Sequence, residues 1–141
     1  MKKIVITGGC GFIGSHIVEH FFNKFKKSKI IVLDKITYAA SIENLASIRN
    51  NKRLFIFKKN ILNFNFIKKI TRKTDLLIHA AAESHVDNSY RLNDDFIKTN
   101  VLGTKNVMQA CKENKVKKIL HISTDEIYGE IFKGSFDEKD R

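Results

Sequence analysis

The 141 residues predict a single α/β domain built on a five-stranded, doubly wound parallel sheet. Three observations carry that expectation. Short β-branched and aliphatic runs alternate along the chain with longer stretches whose apolar residues recur at helical spacing. The short runs are continuously apolar, as in strands covered by helices on both faces. Strand and helix patterns take turns, which demands crossover connections and hence parallel strands. Right-handed crossovers then give the strand order 3-2-1-4-5.

The elements follow in order. Residues 2–7 form a first strand through Ile4, Val5 and Ile6. Residues 12–27 form a helix, with Phe12, Ile13, Ile17, Val18, Phe21, Phe22 and Phe25 at helical spacing. Residues 29–34 are a second strand, Ile30-Ile31-Val32-Leu33 closing on Asp34. Residues 41–50 read as a helix with Ser41 as N-cap and Ile42, Leu45, Ala46 and Ile48 apolar. A third strand over 54–57, a short helix over 64–73 and a fourth strand over 75–80 come next. A long helix over 94–114 turns Phe96, Ile97, Val101, Leu102, Val107, Met108 and Cys111 inward. Residues 117–123 are the fifth strand, and 124–141 are polar and irregular. No repeat, linker or low-complexity stretch divides the chain, so residues 1–141 make one domain.

Composition narrows the class. The apolar fraction of 43% is ordinary for a globular protein. No apolar run approaches the roughly 20 residues a bilayer span requires, and the first apolar stretch runs into glycines rather than a cleavage site. The expectation is a cytoplasmic protein with no membrane partner. Cys10 and Cys111 form no Cys-x-x-Cys pair and have no metal-ligating neighbours, so both are expected to be reduced, structural thiols, with no metal bound. The net charge of +11 is spread over pairs such as Lys26-Lys27 and Lys68-Lys69, without a long basic block. Aromatic residues are not interleaved with the basic ones, so no nucleic-acid partner is expected. Abundant Lys, Asn, Ile and Phe with no Pro fit a coding bias instead.

The chemistry begins at the first strand–helix junction. Gly8, Gly11 and Gly14 are spaced G-x-x-G-x-x-G between a strand and a helix, within a βαβ unit. That is the context of a dinucleotide-binding turn: glycines allow the tight bend, backbone approach to a pyrophosphate, and close helix–strand packing. The helix start aims the Phe12, Ile13 and Gly14 backbone at the phosphates. Asp34 ends the second strand 20 residues after Gly14, where a carboxylate can bind the adenosine ribose hydroxyls. An acid there repels a 2′-phosphate and favours NAD over NADP, although Lys35 beside it is a cation that could accept such a phosphate.

These residues resemble the extended short-chain dehydrogenases/reductases, a family of Rossmann fold, by their glycine spacing. Three further segments are similar to the nucleotide-sugar 4,6-dehydratases among them. They are Asp34-Lys35-Ile36-Thr37-Tyr38-Ala39, Ala80-Ala81-Ala82-Glu83-Ser84-His85-Val86-Asp87, and His121-Ile122-Ser123-Thr124-Asp125-Glu126-Ile127-Tyr128-Gly129. The last is the most specific, because epimerases usually carry Ser-Ala or Ser-Ser in place of the Thr-Asp-Glu. The resemblance spans almost the whole chain. It implies NAD as cofactor and a nucleotide-sugar substrate, dTDP- or UDP-glucose. The sugar C4 hydroxyl is oxidised, the C5 proton is removed, water leaves from C6, and C6 is reduced.

By the same resemblance, Glu126 is the base at C5, Asp125 the acid at the C6 hydroxyl, and Thr124 a hydrogen-bond partner of the C4 oxygen. An adjacent acid and base suit the elimination if their environments split their pKa values. Ser84 contacts sugar or cofactor. Ile36, Thr37, Asn60 and Ile61 flank the adenosine. Ala80, Ala81, Ala82 and Glu83 are the small-residue segment against which the cofactor lies, and Thr99 faces its nicotinamide side. His85 and Asp87 either touch substrate or hold their loop, and His16 and His20 belong to a helix surface. The family's homodimers imply a possible homodimer through the long helix.

Two departures stand out. Asn60 occupies a position where the family usually has Asp, although an amide oxygen can still accept from an adenine amino group. The family's Tyr-x-x-x-Lys pair, which starts the C4 oxidation, is absent. Phe136-Asp137-Glu138 resembles the loop shortly before it, so the sequence is expected to stop just short of the pair, the sixth strand and the substrate domain. Two other readings stay open: a different extended-family enzyme such as a 4-epimerase or decarboxylase, and a non-catalytic, truncated NAD-binding module. On the dehydratase reading, these 141 residues incubated alone with NAD and nucleotide sugar yield no 4-keto-6-deoxy product by mass spectrometry. Accumulation of that product contradicts it.

Overall fold

A computed structural model describes residues 1–85 and 93–140. The chain runs β1 (Lys3–Thr7), α1 (Phe12–Lys24), β2 (Lys29–Asp34), β3 (Leu54–Lys58), α2 (Phe64–Ile70), β4 (Leu76–His79) and α3 (Asn93–Phe96). A π-helical segment (Ile97–Gly103) then leads directly into α4 (Thr104–Glu113), followed by β5 (Lys118–His121). Two short 3₁₀ turns, Ile42–Leu45 and Asp125–Tyr128, complete the list. The strands form one sheet in the expected order, β3-β2-β1-β4-β5, and every pairing is parallel.

Continuous apolar strands serve two faces because successive side chains point opposite ways. On one face Ile4, Ile6, Ile30, Val32, Leu76 and Ile78 pack with Val18 and Phe22 of α1 and with Leu45. On the other, Val5, Ile31, Leu33 and Leu77 pack with Ile67 and Ile70 of α2 and with Val107, Ala110 and Cys111 of α4. Helices therefore cover both faces at the centre of the sheet. β5 departs from the expected burial. It is one of the two outer strands, and all four of its residues are exposed, including Ile119 at 43% and Leu120 at 46%. Cys10 and Cys111 are both buried free thiols, and burial raises their pKa values to about 12 and about 11; for Cys10 the nearby Asp34 charge adds to the effect.

The helices differ from expectation where side chains compete with the helical ladder. Over 41–50 only Ile42–Leu45 is helical, and as a 3₁₀ turn. Ser41 does cap it, its Oγ accepting from the Glu43 N–H, but the side chains of Asn44 and Ser47 bond away to the Cys10 carbonyl and to Glu19. Phe12 and Ile13, in the first turn of α1, are 77% and 59% exposed rather than inward. α2 stops at Ile70, and Lys73 beyond it turns left-handed at φ +54°. The long helix forms, but Ile97, Val101 and Leu102 face outward. In their place Gly103 lies against the Ile61 side chain, where an added Cβ would come within 2.4 Å of Cδ1. The wider π turn sets which side of the helix meets the sheet.

The C-terminus of α1 is closed from β3's side of the molecule. One guanidinium nitrogen of Arg53 donates to the carbonyls of Phe25 and Ser28, the other donates to that of Phe22, and its cation lies 3.9 Å from the Phe22 ring centroid. Phe22 belongs to the last turn of the helix, whose carbonyls lack partners further along it, and the Phe25 carbonyl also accepts the Ser28 N–H (2.9 Å). Arg53→Ala is expected to lower unfolding stability by about 2 kcal/mol, from the lost charge-assisted bonds and the ring contact, read as an earlier urea midpoint at unchanged slope.

Candidate functional site

The strands deliver their carboxyl ends to one edge, where a doubly wound sheet forms its crevice beside β1. Gly8 leaves β1 at φ +71°, and its N–H donates to the Leu33 carbonyl (2.8 Å). A Cβ on Gly8 would lie 2.6 Å from the Ala80 oxygen and the Ala81 nitrogen, and one on Gly14 would lie 1.9 Å from the Gly8 oxygen. Both positions therefore need glycine for the fold itself. Gly11 is different: its nearest neighbour would be 3.5 Å away, so its open side faces the cleft. It caps α1 without a side-chain bond, which leaves that helix's N–H groups available to an anion.

Asp34 is 7% exposed and locks this turn in place. Its Oδ2 accepts the Cys10 N–H (2.9 Å) and its Oδ1 accepts the Ile36 N–H (2.8 Å). The second bond holds Ile36, a β-branched residue, at φ +57°. That conformation costs about 1–3 kcal/mol and persists where neighbours impose it. Ser41 N–H and Asn44 Nδ2 both donate to the Cys10 carbonyl, fastening the turn from the opposite side. A carboxylate has about four acceptor directions, so Asp34 keeps capacity toward a ligand after these two bonds.

A first cleft lies beyond this turn. Of the residues singled out from the sequence, Gly8, Gly11, Asp34, Lys35, Thr37, Asn60, Ile61, Ala80, Ala81, Ala82, Glu83 and Thr99 line it. Phe12, Ile13, Gly14, Ile36 and Ser84 do not. Ala39, which closes the segment beginning at Asp34, lines it too, and Leu33 and Ala40 line it without having been anticipated; Ala40 bridges antiparallel to Gly11. Asn60 already accepts the Leu62 N–H through Oδ1 (2.9 Å), with a second lone pair remaining.

A second cleft opens on the other side of Ala81, Ala82 and Glu83, which line both. Ser84, Thr124 and Glu126 face it. Thr124 is the N-cap of the 3₁₀ turn: its Oγ1 accepts the Glu126 N–H (3.3 Å) and lies 3.2 Å from Asp125 Oδ1. Asp125 does not line this cleft. The His85 ring lies 6.1 Å from that of Tyr38, and Asp87 falls outside the described residues. His121, Ile122 and Ser123, which open the segment that continues into Thr124-Asp125-Glu126, also line the second cleft, as do Phe96, Asn100 and Thr104, to which no motif in the sequence pointed.

His79, also unanticipated, lies beneath this cleft. It is fully buried at the end of β4. Nδ1 lies 2.6 Å from the Thr7 hydroxyl, Nε2 lies 3.0 Å from the Thr104 hydroxyl, and the ring stacks on His121 at 5.0 Å. Burial, then the neighbouring His121, lowers its pKa to about 4, so the ring is neutral. A polar residue closing the strand Leu76-Leu77-Ile78-His79 was the available signal.

The sequence model of a family described as GDP-mannose 4,6 dehydratase matches residues 5–141. The chain belongs to that family. This member of the GDP-mannose 4,6 dehydratase family is 45% identical over 131 residues to a dTDP-D-glucose 4,6-dehydratase of Dictyostelium discoideum, a match covering 92% of this chain and 30% of the relative. It superposes with a TM-score of 0.91 and 37% identity on a Streptomyces venezuelae dTDP-glucose 4,6-dehydratase crystallised with NAD, covering 99% of this chain and 44% of that one. A UDP-N-acetylglucosamine 4-epimerase of Methanobrevibacter ruminantium superposes at 0.88 with 30% identity, covering 99% and 43%. The chain thus spans less than half the length of these proteins.

The state of His79 gives a pH dependence. Its folded pKa of about 4 lies below the ordinary 6.5, so its contribution is fully present above pH 6.5 and is lost as pH falls toward 4. From pH 7 to pH 4, unfolding free energy should fall by about 3 kcal/mol more in the parent than in His79→Gln, whose amide can still reach both threonines. Equal slopes in the two urea series would contradict this.

Proposed function

We propose that this chain is the NAD-binding part of a nucleotide-sugar 4,6-dehydratase acting on dTDP-glucose. The observation that carries the reading is the wall shared by the two clefts. Ala81, Ala82 and Glu83 separate a dinucleotide-type cleft from one bearing Ser84, Thr124 and Glu126, so a cofactor in the first lies beside acid–base groups in the second. The first cleft suits NAD: an uncapped helix N-terminus for the pyrophosphate, an open Gly11, and a carboxylate for the ribose. The names of the relatives support the substrate and the reaction class.

NAD, when bound, supplies oxidation at C4 of the sugar and reduction at C6. Oxidation at C4 acidifies the C5 proton, and Glu126 removes it. The resemblance gives Asp125 the protonation of the departing C6 hydroxyl; its side chain lies outside the cleft lining here, on the same 3₁₀ turn as Glu126, and has to turn toward the cleft to deliver the proton. Thr124 holds the C4 oxygen, and its cap on the 3₁₀ turn fixes the main chain that carries both carboxyl groups. Ser84 orients the sugar from across the cleft. The exposed Ile97, Val101 and Leu102 support a homodimer through this helix. Two buried free thiols suit a reducing compartment, the cytoplasm. UDP-glucose in place of dTDP-glucose fits the same residues and is favoured by the plant relatives, whose names include UDP-glucose 4,6-dehydratase.

The test is turnover by the full-length protein of dTDP-glucose against UDP-glucose, with the product identified by loss of one water. Glu126→Gln should lower kcat by about 10²- to 10⁴-fold with KM little changed, the range for loss of a positioned base. Unchanged kcat contradicts the role given to Glu126.

A further inference from the structure

The wall between the two clefts begins where the sheet stops. The Ala80 N–H makes the last bond to β1, at the Thr7 carbonyl (3.1 Å), and β4 has ended at His79. Beyond that point the main chain must be held by something other than the ladder if it is to shape both clefts. At Glu83 the holder is a side chain. The Glu83 N–H donates to Asn100 Oδ1 (2.9 Å), and Asn100 Nδ2 donates back to the Glu83 carbonyl (2.9 Å). The amide copies a strand partner, satisfying both main-chain groups of one residue, and this fixes position and rotation together.

Asn100 sits inside the π-helical segment, mid-helix, where asparagine is a poor helix former. Its neighbour Thr99 lines the first cleft while Asn100 lines the second. One turn further on, Gly103 meets Ile61, a first-cleft residue, and Thr104 meets His79 beneath the second. The segment is thus anchored independently of the loop it holds, so the Asn100 clamp ties the loop to a rigid support.

We propose that Asn100 is a positioning residue that holds the 81–84 wall in the shape that receives the nicotinamide half of the dinucleotide. This rests on the cofactor reading above. The amide acts through the Glu83 main chain and need not touch the ligand. The adenosine half is held by Asp34 and the phosphate turn, which Asn100 does not contact, so the two halves of the ligand report on different parts of the site.

The experiment compares ADP and NAD binding by calorimetry in the full-length protein and in Asn100→Ala, with thermal midpoints in parallel. ADP reaches Asp34 and the turn but carries no nicotinamide. The expected result is an NAD affinity lowered at least about tenfold, an ADP affinity changed less than about twofold, and faster amide exchange at Glu83 with β1 and β2 unaltered. Asn100→Asp, isosteric and without the donor toward the Glu83 carbonyl, should show the same split and serves if the alanine variant does not fold. A variant that binds NAD as the parent does, or that loses ADP and NAD in parallel, overturns the assignment alone. A parent that binds neither nucleotide overturns the cofactor reading and the assignment with it.

Discussion

The backbone of Gly8 lies so close to the first peptide after β4 that even a methyl group there would sit 2.6 Å from the Ala80 oxygen. Close approach of these two main-chain segments is the constraint on which the carboxyl edge depends. It brings the phosphate turn from β1 against the loop from β4, at the point where the chain's crossovers change direction. Gly14 tightens the same bend from the helix side. With both glycines in place, the 80–84 loop can border the turn on one side and the 3₁₀ turn at Thr124 on the other.

Polar side chains then hold in register what the sheet has released. Asp34 accepts from Cys10 and Ile36, joining the turn to the end of β2 and holding Ile36, just beyond that strand, in a left-handed conformation. Thr7, His79 and Thr104 link β1, β4 and the long helix through one neutral imidazole. Asp75 does the equivalent at the opposite edge, accepting the Lys2 and Lys3 N–H groups and pairing with Lys117 across three strands. The Lys2 N–H, then Lys117 and Lys3, lower its pKa to about 2. Where strands end, an acid or a histidine takes over from the backbone ladder.

Much of the fold was legible because its signals are local. Five apolar runs, the glycine spacing and an acid closing β2 each report a backbone requirement within a few residues, and strand order follows from crossover handedness. The helix over 41–50 misled because Asn44 and Ser47 bond to partners on the phosphate turn and α1, which no window on the sequence contains. The inward face of the long helix misled because helical periodicity assumes an α-helix throughout, and the π segment places Gly103 against Ile61. In the site, residues adjacent along the chain were found as motifs. His79, Asn100 and Thr104 are isolated polar residues whose partners lie 17 to 72 positions away.

The sequence by itself determined the turn from Gly8 to Gly14, the acid at its side and the Thr124-Asp125-Glu126 segment, because spacing along the chain dictates which backbone shape each can take. Only the tertiary structure decided that one wall, Ala81 to Glu83, serves two clefts, and that an asparagine from a distant helix holds it. The physical reason is that a hydrogen bond between side chain and main chain is specified by position in space. Nothing in the residues near Glu83 indicates which amide will reach it.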